Sequence, residues 1–401
     1  MKFSEQSFVP LLFSGDINCY SMARAFCEEY KVKSIAYGKY YTGPNCNSKI
    51  VDYRVNENIE TEDEFLKVVN QVADENKDKK IIIVGCGDSY VWLISKLKHQ
   101  FPSNVLSNYT DFEIIDRITQ KHNFYEMCAK YELDFPKTFV YSREMGKDIP
   151  HGFQYPIILK ASDSVMYWNY KFEGQRKIYK IKDEIQLFEV LDQIYGVGYT
   201  SKIIIQDMIP GDDTFMYVLT GYSDSNGKVK LMALGNVLME EHTPKGLGNH
   251  SVVINDVNEE LSNKVKLMLE DLGYVGFFNL DVKYDQRDNK FKFFEINVRQ
   301  GRSNFYVTGA GYNLAKYLID DLIYKKDLEY LVAKNEYLYT VIPLVLALIF
   351  VRNNLYRKKI LQLIFRGKVN NPSFFIKDMG FIRSLRFIKT HLSHFRKMTM
   401  Q

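Results

Sequence analysis

Cysteine is scarce and poorly placed for cross-linking. There are five (Cys19, Cys27, Cys46, Cys86 and Cys128), with no CxxC pair and no histidine cluster nearby. That argues against a disulfide framework or a structural zinc site and points to a reducing compartment. The N-terminal run MKFSEQSFVPLLFSGD lacks the long apolar core of a secretory signal, so a cytoplasmic location is expected. LYTVIPLVLALIFV, residues 338–351, is too short for an ordinary membrane span and contains Pro343, which points to a buried helix or an interfacial segment. The turn GCGDSY follows an apolar strand but has no third glycine at the right place, so a dinucleotide site is not expected. Internal repeats and low-complexity stretches are also missing.

What is present in excess is positive charge at one end. Arg352 to Gln401 holds twelve Lys or Arg and one acid, Asp378, a net charge of +11, which leaves −7 on the first 351 residues. Beside the run 338–351, and with Phe374, Phe375, Phe381, Phe387 and Phe395 inside it, this tail has two readings. Segment 338–401 attaches to an anionic bilayer on the inner face of the cell membrane, or it forms a helical subdomain with a basic solvent face. Nucleic acid is not expected, because no recognised binding motif accompanies the charge.

At 401 residues, 46% apolar and 25% charged, the chain has the makings of a globular protein of two or three domains. Strands and helices alternate over 1–118: FVPLLFSG, then helical spacing through Tyr20, Met22, Ala23, Phe26 and Tyr30, then KSIAYG, a helix at 62–76 and KKIIIVGCGDSY. Such alternation predicts a parallel sheet, whose strands meet ligands at their carboxyl ends. That would bring Gly15, Asp16, Asn18 and the GCGDSY turn towards a substrate. A helix is expected over 112–132. Beyond it, YPIILKAS (155–162), KIIIQDMIPGDD (202–213) and two strands within 215–240 read as an antiparallel α+β region, with helices at 258–272 and 311–323.

The run NLDVKYDQRDNKFKFFEINVRQGRS carries the most chemistry. It reads as strands 277–284 and 290–298 joined by the turn DQRDN. Alternation puts Leu280, Val282, Tyr284, Phe294, Ile296 and Val298 on one face, and Asp281, Lys283, Glu295, Asn297 and Arg299 on the other. A turn centred on Asp288 sets Asp281 opposite Glu295. Two carboxylates and an amide oxygen are hard donors suited to Mg²⁺, which completes its shell with phosphate and water. A solvated sheet face has the same pattern, and the hairpin alone leaves both open.

The order of the chemical groups narrows the choice. Lys121 opens the α+β region and Lys160 ends a buried strand. The turn Gln206 to Asp213 follows, and the acid/acid/amide hairpin closes the set. This arrangement resembles the ATP-grasp superfamily over about residues 1–325. The runs KASDSVMYWNYKFEGQRK, QDMIPGDD, LGNHSVVI and FEINVRQGRSNFYVTGAGYNLA look most similar to D-aspartate ligases. The resemblance implies an α/β N-terminal domain (1–120), then an α+β ATP-grasp fold whose two subdomains clamp ATP (121–325), then a basic helical C-terminal segment (326–401).

It further implies that Lys121 and Lys160 contact phosphate, and that Gln206, Asp207 and Ile209 meet the adenine. Asp213 would bind the ribose, and Asp281, Glu295 and Asn297 would hold one or two Mg²⁺ ions. Arg299 and Arg302 would stabilise the transferring phosphoryl group or bind a substrate carboxylate. Where many superfamily members have a glycine-rich phosphate loop, this chain has one glycine and several aromatics, leaving Lys171, Arg176 or Lys177 to cover the phosphates. The implied reaction is ATP-dependent amide formation through an acyl phosphate, joining the β-carboxylate of D-aspartate to the lysine ε-amine of a peptidoglycan precursor stem peptide. Two other readings stay open: a sister ligase that joins another amino acid to a peptide or cell-surface polysaccharide, and a non-catalytic nucleotide-binding protein at a membrane.

Overall fold

Short runs rich in Ile and Val build the first sheet of the computed structural model, which describes residues 2–149, 152–243, 246 and 248–399. Its strands lie in the order Val51–Val55, Ser34–Gly38, Phe8–Phe13, Lys80–Gly85 and Val105–Leu106, and every pairing is parallel as expected. Parallel neighbours need crossovers, supplied here by helices Ile17–Tyr30, Glu62–Glu75 and Asp88–Leu97 and, between Ser34–Gly38 and Val51–Val55, by the loop 39–50. The first starts abruptly because Asp16 Oδ1 accepts the Asn18 and Cys19 amides at 3.1 and 3.2 Å. The single helix expected at 112–132 is two, Phe112–Thr119 and Lys121–Lys130, divided at Gln120, whose backbone is extended (ψ 119°). Lys121 therefore opens a new helix and is only 6% exposed.

Two sheets follow, the smaller antiparallel and the larger antiparallel but for two short parallel pairings, with Leu331–Val332 and with Val369–Asn370. The smaller runs Thr138–Tyr141, Ile203–Asp207, Ile157–Ala161, Tyr179–Ile181. The larger has eight strands, led by Lys290–Asn297, Gly276–Asp285, Met216–Ser223, Val229–Glu240 and His250–Asp256. Its apolar face shares one core with the first sheet: Phe13, Phe65 and Ile83 belong to the same cluster as Leu219, Leu280 and Phe293. The larger sheet is thereby fixed against the carboxyl ends of the parallel strands.

The C-terminal segment is woven into this frame. The run 338–351 is not one helix. Leu338–Thr340 joins the larger sheet antiparallel to His250–Asp256, and Leu344–Phe350 starts as a helix only after Pro343, which has no N–H to leave unpaired. Among the described residues no helix is long and apolar enough to cross a membrane. Two buried clasps tie the segment to the helix Ile17–Tyr30 and the 48–50 loop beside the first sheet. Arg24 Nη1 donates to Asn370 Oδ1 and to the carbonyls of Asn371, Pro372 and Phe374. Asp378, fully buried, accepts from Tyr20 Oη (2.7 Å), Ser48 Oγ (2.8 Å) and the Lys49 and Ile50 amides, and pairs with Arg383 Nε at 3.3 Å. Arg383 opens the last helix, Phe381–Thr399, and so sets where that helix lies.

Candidate active site

The hairpin register sets Asp281 opposite Glu295 and Asn279 opposite Asn297. The strands, Gly276–Asp285 and Lys290–Asn297, fall within a residue or two of the sequence reading. One detail differs. A bulge after Asp281 pairs Val282 with Phe293, so Phe294 is an extra residue and simple alternation fails there. Phe293 takes the core position, 1% exposed, whereas Phe294, expected in the core, has its ring 5.4 Å from the Lys160 ammonium.

A cavity of about 400 Å³ opens between the smaller and the larger sheet. Its walls include eight residues singled out by the sequence: Lys121, Lys160, Lys177, Gln206, Asp207, Ile209, Asp281 and Glu295. Lys160 comes from the strand Ile157–Ala161 and donates to Tyr125 Oη at 3.0 Å; burial pushes its pKa down to about 8. Lys121 lies 2.9 Å from Glu295 Oε2. That ammonium, helped by Lys177 and Lys160, holds the Glu295 carboxyl well below the usual range. Asp281 moves the other way, raised by burial and by the Glu295 charge. The carboxylate pair is thus split, one firmly ionised and one ready to share charge with a cation.

Two residues that sequence reasoning missed complete the wall. Glu240 ends one strand and His250 begins the next, directly opposite each other. His250 Nε2 lies 3.7 Å from Glu240 Oε1 and 4.0 Å from Asp281 Oδ1, both beyond hydrogen-bond reach. Each residue is 7% exposed, and neither Nε2 nor Oε1 has a hydrogen-bond partner among the described residues. Burial raises Glu240 to about 7 and lowers His250 to about 4. Buried polar atoms left unsatisfied on a cavity wall are what a polar ligand would complete. The only trace in the sequence was LGNHSVVI, which carries His250 without marking it out.

Among the described residues no group of three or more His, Cys, Asp or Glu could hold a metal by itself. Two facing carboxylates fit Mg²⁺ all the same, because that ion takes one or two and draws the rest of its shell from phosphate and water. Asn297, the amide of the expected set, stands behind them with Nδ2 3.4 Å from Asp281 Oδ2.

Not every sequence candidate reaches this cavity. Asp213 is not among its lining residues. Its carboxylate accepts the Glu240 amide at 2.8 Å and faces His242 Nε2 at 2.7 Å. Burial alone would raise its pKa, but these two contacts outweigh that and hold it below the ordinary value. Lys121 is placed on Glu295 rather than pointing freely into the space. Gln206 donates from Nε2 to Thr138 Oγ1 at 2.7 Å, and the Asp207 carboxylate lies 3.6 Å from Arg287. Of the three cations proposed as phosphate cover, only Lys177 lines the cavity.

Arg299 lines neither cavity, and Arg302 belongs to the neighbouring space. Arg299 pairs with Asp88: Nη2 donates to Oδ2 at 2.9 Å and Nε lies 2.8 Å from Oδ1, which ties the hairpin to the GCGDSY turn. Arg302 lines a second cavity of about 790 Å³. Its walls are the Ser14–Ile17 turn, the 39–44 loop, Tyr90, and the face of the last helix bearing Arg386, Thr390, His391 and His394. Gly15 and Asp16 reach this wall, as their position after a parallel strand implied. Asn18 instead ties loops together, donating to the carbonyls of Cys86 and Gln300. His250 lines both cavities and so stands where they meet.

No family model matches the chain. A D-aspartate ligase of Enterococcus faecium (strain Aus0004) is 36% identical over 394 residues, which are 95% of this chain and 93% of that protein. Solved structures share the fold at lower identity. An L-amino acid ligase from Bacillus licheniformis has a TM-score of 0.55 at 14% identity, covering 80% of this chain and 75% of its own. The ADP complex of N5-carboxyaminoimidazole synthetase from Staphylococcus aureus gives 0.59 at 15%, covering 84% and 82%. The biotin carboxylase domain of Hydrogenobacter thermophilus 2-oxoglutarate carboxylase, solved with magnesium ADP and bicarbonate, gives 0.60 at 16%, covering 81% and 72%.

Proposed function

This chain belongs to the D-aspartate ligase family within the ATP-grasp superfamily, and from that premise we propose that it joins the β-carboxylate of D-aspartate to the lysine ε-amine of a peptidoglycan precursor stem peptide. The general activity is that of an ATP-dependent carboxylate–amine ligase. One observation carries the finer reading. A small cavity lined by cations and a carboxylate pair adjoins a larger one holding Arg302, and the two share His250 as a common wall.

In this reading the smaller cavity takes ATP. Gln206, Asp207 and Ile209 meet the adenine, and Lys160 and Lys177 neutralise the triphosphate. Glu240, whose unsatisfied Oε1 sits on the wall, competes with Asp213 for the ribose. Asp281 and Glu295, with Asn297 behind, hold magnesium, which when bound neutralises phosphate charge. Arg302 fixes the α-carboxylate of the acid in the larger cavity, and Arg299, paired with Asp88, holds the hairpin against the GCGDSY turn.

The β-carboxylate oxygen forms a bond to the γ-phosphorus while the bond from that phosphorus to the bridging oxygen breaks, and ADP leaves with the electron pair. Holding the two reactants in adjoining cavities is most of what this step requires. The amine nitrogen then bonds to the acyl carbon, phosphate departs with the C–O electrons, and the spent amine proton passes to solvent. At about 790 Å³ the larger cavity is of a size that takes sizeable ligands, leaving room for the stem peptide beside the acid.

The test is ADP release with Mg-ATP and single D- and L-amino acids, with and without a lysine-containing stem peptide. D-aspartate should give the highest kcat/KM, and amide product should need the peptide. A clear preference for another acid would remove the D-aspartate assignment and leave the ligase class standing.

A further inference from the structure

The last helix, Phe381–Thr399, faces the wrong way for a helix in water. Its side chains Arg383, Arg386, Thr390, His391 and His394, with Phe387 as the one apolar member from this helix, line the larger cavity. Phe381, Leu385, Ile388 and Leu392, spaced four, three and four residues apart, fall on the opposite side. That side is open: they are 81%, 53%, 53% and 63% exposed, and Ile382 beside them is 58% exposed. A surface helix ordinarily turns its apolar stripe to the core and its charges to solvent. Here the arrangement is reversed, and the clasp at Asp378 and Arg383 fixes it so.

We propose that this stripe is a docking surface for an anionic lipid bilayer, with the helix lying in the plane of the headgroups and its inner face still lining the larger cavity. Charge decides between a bilayer and a second copy of the chain. Residues 352–401 carry a net +11, and their one acid, Asp378, is fully buried in the clasp, so the segment offers no carboxylate side chain to solvent. Lys377 and Lys389 are exposed along this helix and its approach. Two such surfaces would repel each other, whereas basic residues around a shallow apolar stripe are attracted to acidic headgroups. The short stripe and the lack of any spanning helix among the described residues fit a protein that lies on the surface rather than crossing it. The inference does not rest on the ligase reading; together they would place the larger cavity at the membrane face.

Co-sedimentation of the full chain with vesicles tests it directly. Vesicles of phosphatidylglycerol and phosphatidylcholine should bind the protein, and vesicles of phosphatidylcholine alone should bind it at least about tenfold more weakly. Binding to the acidic vesicles should weaken as salt rises from about 50 to about 300 mM. The double variant Leu385→Asn/Leu392→Asn should bind acidic vesicles about tenfold more weakly while ADP release in solution stays within about twofold, because neither side chain reaches a cavity. The milder Ile388→Ser should fall between and guards against misfolding of the double variant. Equal binding to both vesicle types, or none, overturns the proposal. So does a dimer in solution that the double variant dissolves, which would make the stripe a contact between copies. Loss of ADP release in wild type would sink the ligase reading alone and leave the vesicle result to stand or fall by itself.

Discussion

The two cavities are built by different means. The smaller is framed by strands and strand ends: Ile157–Ala161, Ile203–Asp207 and the Gly276–Asn297 hairpin deliver Lys160, Gln206, Asp281 and Glu295 at positions fixed by pairing register. The larger is assembled from turns beside the first sheet, Arg302 after the hairpin, and a helix beginning some 365 residues beyond Ser14. Strands hold side chains by a ladder of backbone hydrogen bonds, whereas the helical wall is held by side-chain contacts: the buried cluster around Asp378, and Arg383 and Arg386 donating to carbonyls of the 43–46 loop. On the proposed function, the ligand common to many enzymes would sit among paired strands, and the substrates that distinguish them would be left to loops and a clasped helix.

Changes in either cavity can break that division. Glu295→Gln removes the charge that pairs with Lys121 and faces Asp281. It should lower magnesium-dependent ADP formation by about 10³-fold with a near-unchanged melting curve. Wild-type-like turnover would mean that the smaller cavity is not where phosphate is handled.

Asp378→Ala strikes only the clasp. Stripping a buried carboxylate from Arg383 and Tyr20 should destabilise the protein by about 3 kcal/mol in denaturant unfolding. In the fraction still folded, the KM for ATP should change less than the KM for the amine acceptor. Equal damage to both would show that the cavities are not independent.

Arg302→Ala should raise the KM for the acid at least about tenfold and leave the KM for ATP nearly unchanged. The opposite split would move the acid out of the larger cavity.

The smallest effect is on pH dependence. Lys160 titrates at about 8 rather than at its ordinary 10.5, because burial disfavours the ammonium. Its charge is present below that pH and lost above it, so kcat/KM for ATP should fall as pH rises past about 8. Lys160→Arg should carry the fall to higher pH. Between about 8 and 10.5 the unfolded chain binds the extra proton, so this residue makes stability rise with pH there, opposite in sign to its effect on activity. A profile flat to about pH 10 would deny Lys160 a part in binding the triphosphate.

Legibility in the sequence follows the same line. Period-two alternation and a single polar turn were enough to set Asp281 against Glu295, and the apolar run YPIILK was enough to place Lys160 on a buried strand. Alternation failed at Phe294, because a bulge inserts a residue that no pattern of hydrophobicity records. Glu240 and His250 escaped notice since each is an ordinary polar residue at a strand end, and their meaning comes only from facing one another across two strands. The tail was open to two readings because composition gives the charge and apolar content of 338–401 but not their sides. The strand Leu338–Thr340 and the outward stripe of the last helix are set by long-range pairing with His250–Asp256 and by the Asp378 clasp.

A crystal structure of the chain with magnesium and a non-hydrolysable ATP analogue would test the central claim most directly. A metal ion should lie within about 2.1 Å of carboxylate oxygens from both Asp281 and Glu295. The triphosphate should run past Lys160 towards His250, with the second cavity empty of nucleotide. Nucleotide bound in the larger cavity, or phosphates that leave the two carboxylates uncoordinated, would contradict that claim.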